Sequence, residues 1–192
     1  MTAQLIDVPR GQVAAVVTYL EMRERPAPGP VPESPLRLER WRSVDPDRYR
    51  ALFRKVGARW LWFSRLAMDD RALMANVAEV HAVCDGAHAA VGLVELDFRV
   101  RGECLIRFLG LAPELAGQGH GHWLFDRTLE LAWRDGVGMV KVHTCSLDHP
   151  AALPAYLRAG FRAVGRAFES FPDPRLAGLL PSDCAPQIPL IG

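Results

Sequence analysis

Three glycines at alternate positions, Gly117, Gly119 and Gly121, stand between an aliphatic run and an amphipathic one. Glycine lets a backbone approach a ligand closely and adopt torsions that a side chain forbids. A helix that starts directly after such a turn aims unpaired N–H groups and the positive end of its dipole at whatever lies there. The chemistry implied is capture of an anion, most simply phosphate or pyrophosphate, by the main-chain donors of Gly117, Gln118, Gly119, Gly121 and His122. Acid–base candidates lie elsewhere in the chain. Glu95 and Asp97 share one face of an extended segment because side chains two apart point the same way, and Val94, Leu96 and Phe98 make its other face apolar. Glu103 opens the next extended segment, and His143 and Cys145 share a face of a later one. A metal site built from His120, His122, His143 and His149 is rejected, because His-x-His at a helix start splits the two rings between faces and no Cys or Asp completes a ligand spacing. Cys84, Cys104, Cys145 and Cys184 form no CxxC pair and no nucleophile motif, and read as structural thiols.

The composition narrows the class. The 192 residues fit one domain, or one domain with an added arm, and 49% hydrophobic content is ample for a core. No apolar run approaches the ~20 residues of a membrane span, and the N-terminus lacks a basic region followed by an apolar block. The expectation is a soluble cytoplasmic protein. A net charge of +1, with 23 basic residues dispersed among 22 acidic ones, argues against nucleic-acid binding.

The elements that must position these residues follow in order. Residues 6–22 are rich in β-branched side chains and read as a strand. Residues 25–35 carry five prolines and a glycine, which neither helix nor sheet holds. Residues 1–24 are therefore expected to form an N-terminal arm, free to pack on the body or on a second subunit as a homodimer, with 25–35 as its linker. A strand over 36–42 is followed by a helix capped by Ser43 or Asp45, starting at Pro46 and ending at Gly57. After the aromatic run 59–68 a second helix covers 69–77. Strands at 80–84, 90–99 and 104–111 form an antiparallel meander. A helix over 120–135, a strand over 139–146, a short helix ending at Gly160 and a strand over 161–171 complete the body, 36–171. The tail 172–192 has five prolines and reads as an irregular surface segment. The expected fold is α/β (α+β): a mixed, mostly antiparallel central sheet of six to seven strands with helices on both faces.

Three segments in this order carry a family resemblance. LGLAPELAGQGHG (109–121) resembles the strand, proline-containing turn and Q/R-x-x-G-x-G/A loop of the GNAT superfamily of acyl-CoA-dependent N-acetyltransferases. VKVHT (140–144) resembles its aliphatic strand, and HPAALPAYLRAGF (149–161) its closing N-x-x-A-x-x-x-Y-x-x-x-G-F segment. Two positions depart from the pattern: Ala116 stands where Gln or Arg is usual, and His149 where Asn is usual.

The resemblance implies acetyl-CoA as co-substrate, no metal, and a cleft where strands 104–111 and 139–146 splay apart. Leu109, Leu111, the glycine loop through His122, and His149 would hold the cofactor, with the N–H of Leu111 facing the thioester carbonyl. Tyr156 matches the family's general acid, since a phenol with a pKa near ~10 is protonated at neutral pH and can donate to a thiolate. Glu95 stands ahead of Glu103 and Asp97 as general base. Trp60, Trp62 and Arg65, with Phe63, fall where the family builds its acceptor pocket, and an aromatic wall with one cation suits a substrate with an apolar body and a carboxylate. The activity implied is acetyl transfer to a primary amine, of a small molecule, by direct attack in a ternary complex. Acetylation of a protein N-terminus or lysine, or a non-catalytic acyl-CoA-binding module, are the alternatives.

Overall fold

The residues 12–22, QVAAVVTYLEM, are apolar and often β-branched at most positions, the pattern of a strand. In the computed structural model, which describes residues 3, 5–27, 29–30 and 32–192, this stretch is β1 (Gln12–Met22). It is followed by β2 (Arg37–Arg40), α1 (Pro46–Gly57), α2 (Asp70–Asn76), β3 (Glu79–Cys84), β4 (Ala90–Asp97) and β5 (Glu103–Leu111). Then come α3 (His120–Ala132), β6 (Met139–Cys145), α4 (Ala152–Arg158) and β7 (Arg162–Pro172). The seven strands form one sheet in the order β2-β3-β4-β5-β6-β1-β7. Every neighbouring pair is antiparallel except β5 and β6, which run parallel. This is the mixed sheet expected from the element order.

β1 is therefore no detached arm. It lies inside the sheet between β6 and β7, hydrogen-bonded along both edges. Val13 and Ala15 point to the core on one face of the sheet, Leu20 and Met22 to the core on the other. The proline-rich stretch after β1 must reach β2, five strand positions and roughly 24 Å away at ~4.8 Å per strand. An extended proline-rich chain suits that span, and Ser34 fastens it to α3 through a 3.1 Å hydrogen bond with His120.

Each face of the sheet carries its own core. On one side α1 packs Tyr49, Leu52, Phe53 and Val56 against Val80, Ala82 and Leu93. Their 3-1-3 spacing is the apolar stripe of a helix. Asp45 caps α1 by accepting from the N–H of Arg48 at 2.8 Å, and Asp69 caps α2 in the same way. On the other side Trp123, Leu124, Phe125 and Leu129 of α3, with Tyr156 of α4, cover Leu96, Ile106, Val140 and Val142.

The tail, expected as a surface segment, is irregular but tied down. Asp173 and Arg175 form a buried ion pair at 2.7 Å, and the same guanidinium donates to the carbonyl of Ile188 at 2.8 Å. Leu180 and Ala185 are buried in the α1-side core. One arginine thus supplies the donors that an irregular segment lacks internally. Among the described residues no helix is long and apolar enough to cross a membrane.

Candidate active site

The parallel pairing of β5 with β6 runs from Glu103↔Met139 to Ile106↔Val142 and then stops. On the other edge of β5, Glu95 pairs with Phe108 but Leu96 pairs with Ile106, so Arg107 is an extra residue. Such a bulge bends its strand and increases the local twist. It falls where β5 and β6 part, and it reverses which face the side chains take. Ile106 belongs to the α3-side core, whereas Phe108 belongs to the α1-side core. Beyond the bulge, Leu109 and Leu111 pack toward α3, and a Cβ on Gly110 would stand 2.8 Å from Val56 of α1.

The strands diverge around a cleft of about 1690 Å³, well above the ~300–1,000 Å³ of a drug-sized pocket. Its α3 side is lined by Leu109, Leu111, the glycine turn, Phe125 and Tyr156, and its α1 side by Trp60, Trp62, Phe63 and Phe108. The structure thus brings the glycine turn, Tyr156 and the two tryptophans to one cavity.

The turn itself is shaped by its glycines. Gly117 and Gly119 have φ of +77° and +82°, where a side chain is strained, and Gly119 directly precedes α3 without any side-chain cap. A Cβ at position 117, 119 or 121 would stand in open space. Among the described residues, the N–H groups of Gly117, Gln118, Gly119 and Gly121 donate to no protein acceptor. That of His122 is engaged by Gly119 O at 3.3 Å, and the Gln118 side chain folds back onto Glu114 O at 2.9 Å. Donors without acceptors, beside space without side chains, fit a phosphate-bearing ligand held by backbone alone.

Tyr156 is buried, with its ring edge-on to Phe125 and Phe161 at 5.5 and 5.6 Å. Burial, together with the negative charge of Asp148, pushes its phenol far above the ordinary value, so it stays protonated. His149 accepts from Ala151 N–H at 3.1 Å through Nδ1, which places its proton on Nε2. Its ring presses edge-on against Trp60 at 5.2 Å. Burial pushes the Cys145 thiol up to about 11, so this cavity-lining cysteine carries no thiolate at neutral pH.

Four expected site residues are placed elsewhere. Glu95 and Arg65 do not line the cleft. Glu95 is fully buried and accepts from Tyr49 Oη at 2.5 Å, Arg65 at 2.6 Å and Ala78 N–H at 3.3 Å. The Arg65 guanidinium expected to meet a substrate carboxylate is spent on this internal one. Glu103 pairs with Lys141 at 2.7 Å at the start of β5. That is eight residues from Leu111, about 26 Å along a strand, and opposite the splayed end. Asp97 is held by Arg99 and Arg107, both at 2.7 Å.

Sequence reasoning missed Asp148 and Glu169, which both line the cleft. Asp148 Oδ2 accepts from Thr144 Oγ1 at 2.7 Å and from Cys145 N–H at 2.9 Å, while Oδ1 meets only Trp62 Nε1, at 3.4 Å. Its signal was its place immediately before His149, in a turn that follows an apolar strand.

The comparisons with known proteins agree with this geometry. The sequence model of the Acetyltransferase (GNAT) family matches residues 17–161, and the chain belongs to that family. A GCN5-related N-acetyltransferase from Sphaerobacter thermophilus is similar in structure, with TM-score 0.57 and 15% identity over 85% of this chain and 52% of that one. A GNAT-family acetyltransferase described as putative, from Novosphingobium aromaticivorans, has TM-score 0.57 and 15% identity, covering 87% of this chain and 69% of its own. A tandem GNAT protein from the clavulanic acid biosynthesis pathway has TM-score 0.57 and 18% identity, with coverages of 86% and 54%. At such identities the likeness is one of fold, and against the first and third of these the chain spans about half the relative's length. No protein of curated function matches the sequence.

Proposed function

We propose that this chain is an N-acetyltransferase that moves an acetyl group from acetyl-CoA to a primary amine of a small molecule, by direct attack in a ternary complex. One observation carries the reading. A strand edge freed of its partner beyond Ile106 lies in the same cleft as a glycine turn with four unengaged N–H groups, and that cleft continues into an aromatic chamber. Acetyl-CoA supplies an activated thioester carbonyl. The turn would bind its pyrophosphate, and the free edge of β5 would accept an extended amide-bearing arm as a sheet accepts a strand. The N–H of Leu111 would meet the carbonyl oxygen as charge develops there. Tyr156 would hold a proton for the departing sulfur. With Cys145 protonated, this cleft-lining thiol is not set up to form a covalent acyl intermediate.

Release of free thiol from acetyl-CoA across a panel of small primary amines tests the activity. Tyr156→Phe keeps the ring packing and removes only the hydroxyl. Turnover is expected to fall by roughly 10²-fold or more, the usual worth of a placed proton donor, with acetyl-CoA affinity unchanged. Full turnover in that variant would remove Tyr156 from the chemistry, and no thiol release from any amine would sink the enzymatic reading.

A further inference from the structure

Asp148 is a carboxylate without a counter-ion. Among the described residues no Lys, Arg or His lies within ion-pair distance of it. Its two oxygens are used unequally. Oδ2 is saturated by Thr144 and Cys145, whereas Oδ1 receives only the indole N–H of Trp62 at a distance beyond a good hydrogen bond. The residue lines the cleft on the aromatic side, with Trp60 and Trp62 beside it, and Trp62 continues into Phe108 at 5.1 Å. Aromatic faces favour cations. A partly shielded carboxylate with spare acceptor capacity favours them more strongly. Beside it on the aromatic side lie Arg59, His143, Cys145, His149 and Glu169, while Arg25, His122, Asp126, Glu130, Tyr156 and Arg158 line the rest of the cavity and Arg107 is held by Asp97 at 2.7 Å. Arg59 is exposed and stacks over Trp60 at 5.7 Å instead of pairing with Asp148, and Glu169 adds a second negative charge. With Arg65 committed to Glu95, the buried cation that could have greeted a substrate carboxylate is taken.

We propose that Asp148 is the anchor of the acceptor: Oδ1 receives the ammonium of a primary amine whose body is flat and apolar and which carries no carboxylate beside the amine. The inference rests on the acetyl-transfer reading for its meaning, but the anchor is a binding claim and is tested as one. Trp60 and Trp62 flank the body, and the hydrogen bonds to Oδ2 fix the carboxylate so that one oxygen faces the chamber. The acceptor class follows from the charge of the anchor and its aromatic flanks: arylalkylamines are favoured over the corresponding amino acids, whose carboxylate would meet Asp148.

The test is calorimetric titration of the full chain saturated with CoA, the product form, which permits no turnover. The probes are phenethylamine, phenylalanine as its carboxylated counterpart and phenethyl alcohol as its uncharged one. Phenethylamine is expected to bind at least tenfold more tightly than either. Asp148→Asn retains an acceptor for Thr144 and Cys145 and removes only the charge. It should weaken phenethylamine by about 10- to 100-fold, the worth of one charge-assisted hydrogen bond, while CoA binds as before. Asp148→Glu, which restores the charge, should recover part of the loss. Equal binding of phenethylamine and phenylalanine to the unmodified protein overturns the proposal without reference to any variant. So does an Asp148→Asn protein that binds phenethylamine like the parent, or a CoA-bound parent that binds neither amine. Failure of CoA itself to bind is a different result: it defeats the acetyl-transfer reading, and the amine titration of the free protein then decides the anchor alone.

Discussion

Replacing Glu95 by alanine separates a structural carboxylate from a catalytic one. In the parent, a carboxylate at 0% exposure faces a guanidinium at 3%, and the two meet at 2.6 Å. Truncation leaves Arg65 buried with the carbonyl of Asn76, 3.3 Å away, as its remaining oxygen acceptor. It also strips Tyr49 Oη of its acceptor. Breaking one side of a buried ion pair costs about 3–5 kcal/mol, and an orphaned hydroxyl adds up to about 1–3 kcal/mol. Against a total stability of about 5–15 kcal/mol, about a quarter of the fold's margin or more is removed. For a domain of this size the ion-pair loss alone corresponds to a fall in Tm of roughly 6–20 °C. Urea and thermal unfolding of Glu95→Ala, Arg65→Met and the double variant measure it. The double variant, which removes both charges, is expected to be more stable than Glu95→Ala, the sign of a coupled pair. A Glu95→Ala protein with unaltered unfolding and abolished turnover would refute this reasoning and return Glu95 to the chemistry.

Three further outcomes are expected. Hydrogen bonds from Arg99, with Arg107 behind them, hold the Asp97 carboxyl well below the usual carboxylate range. Its stabilisation is complete above an unfolded pKa of ~3.9 and is lost as pH falls toward the folded value. Asp97→Asn should therefore be less stable than the parent at pH 7, and urea unfolding at successively lower pH should show the gap closing below pH ~4. Arg175→Ala unpairs buried Asp173 and releases the carbonyl of Ile188, so the tail after residue 175 should become the first site of limited proteolysis. A Cβ on Gly57 would lie 2.4 Å from Trp62 Cβ, so Gly57→Ala should cost about 1–3 kcal/mol by overpacking. It should raise the KM of the acceptor while leaving CoA affinity alone, because only the aromatic wall moves.

What the sequence revealed and what it concealed divide along the range of the interactions. Asp45 and Pro46 mark the start of α1 by local capping chemistry, and the glycine turn before α3 is legible because its torsions need glycine. The strand character of residues 12–22 was legible too, yet its place between β6 and β7 was not. Alternation specifies a strand, whereas its neighbours are chosen by pairings more than 100 residues away. The bulge at Arg107 carries no glycine to announce it, so simple alternation extends Glu103's face across a point where the faces exchange. Glu95 and Arg65 are separated by 30 residues and meet only when the stretch between α1 and α2 folds back onto β4. Asp148 was hidden by its company: an aspartate in a turn before a proline reads as turn chemistry, and only the splayed strands show that it borders a cleft.

The central claim is that backbone donors at the glycine turn hold the pyrophosphate of coenzyme A. Calorimetric titration of acetyl-CoA into the parent and into Gly119→Ala tests it most directly, because alanine at φ +82° must distort the turn while touching no neighbouring side chain. The account requires one-to-one binding in the parent and at least a tenfold loss in the variant. Absence of heat in the parent, or equal affinity in both proteins, would contradict it.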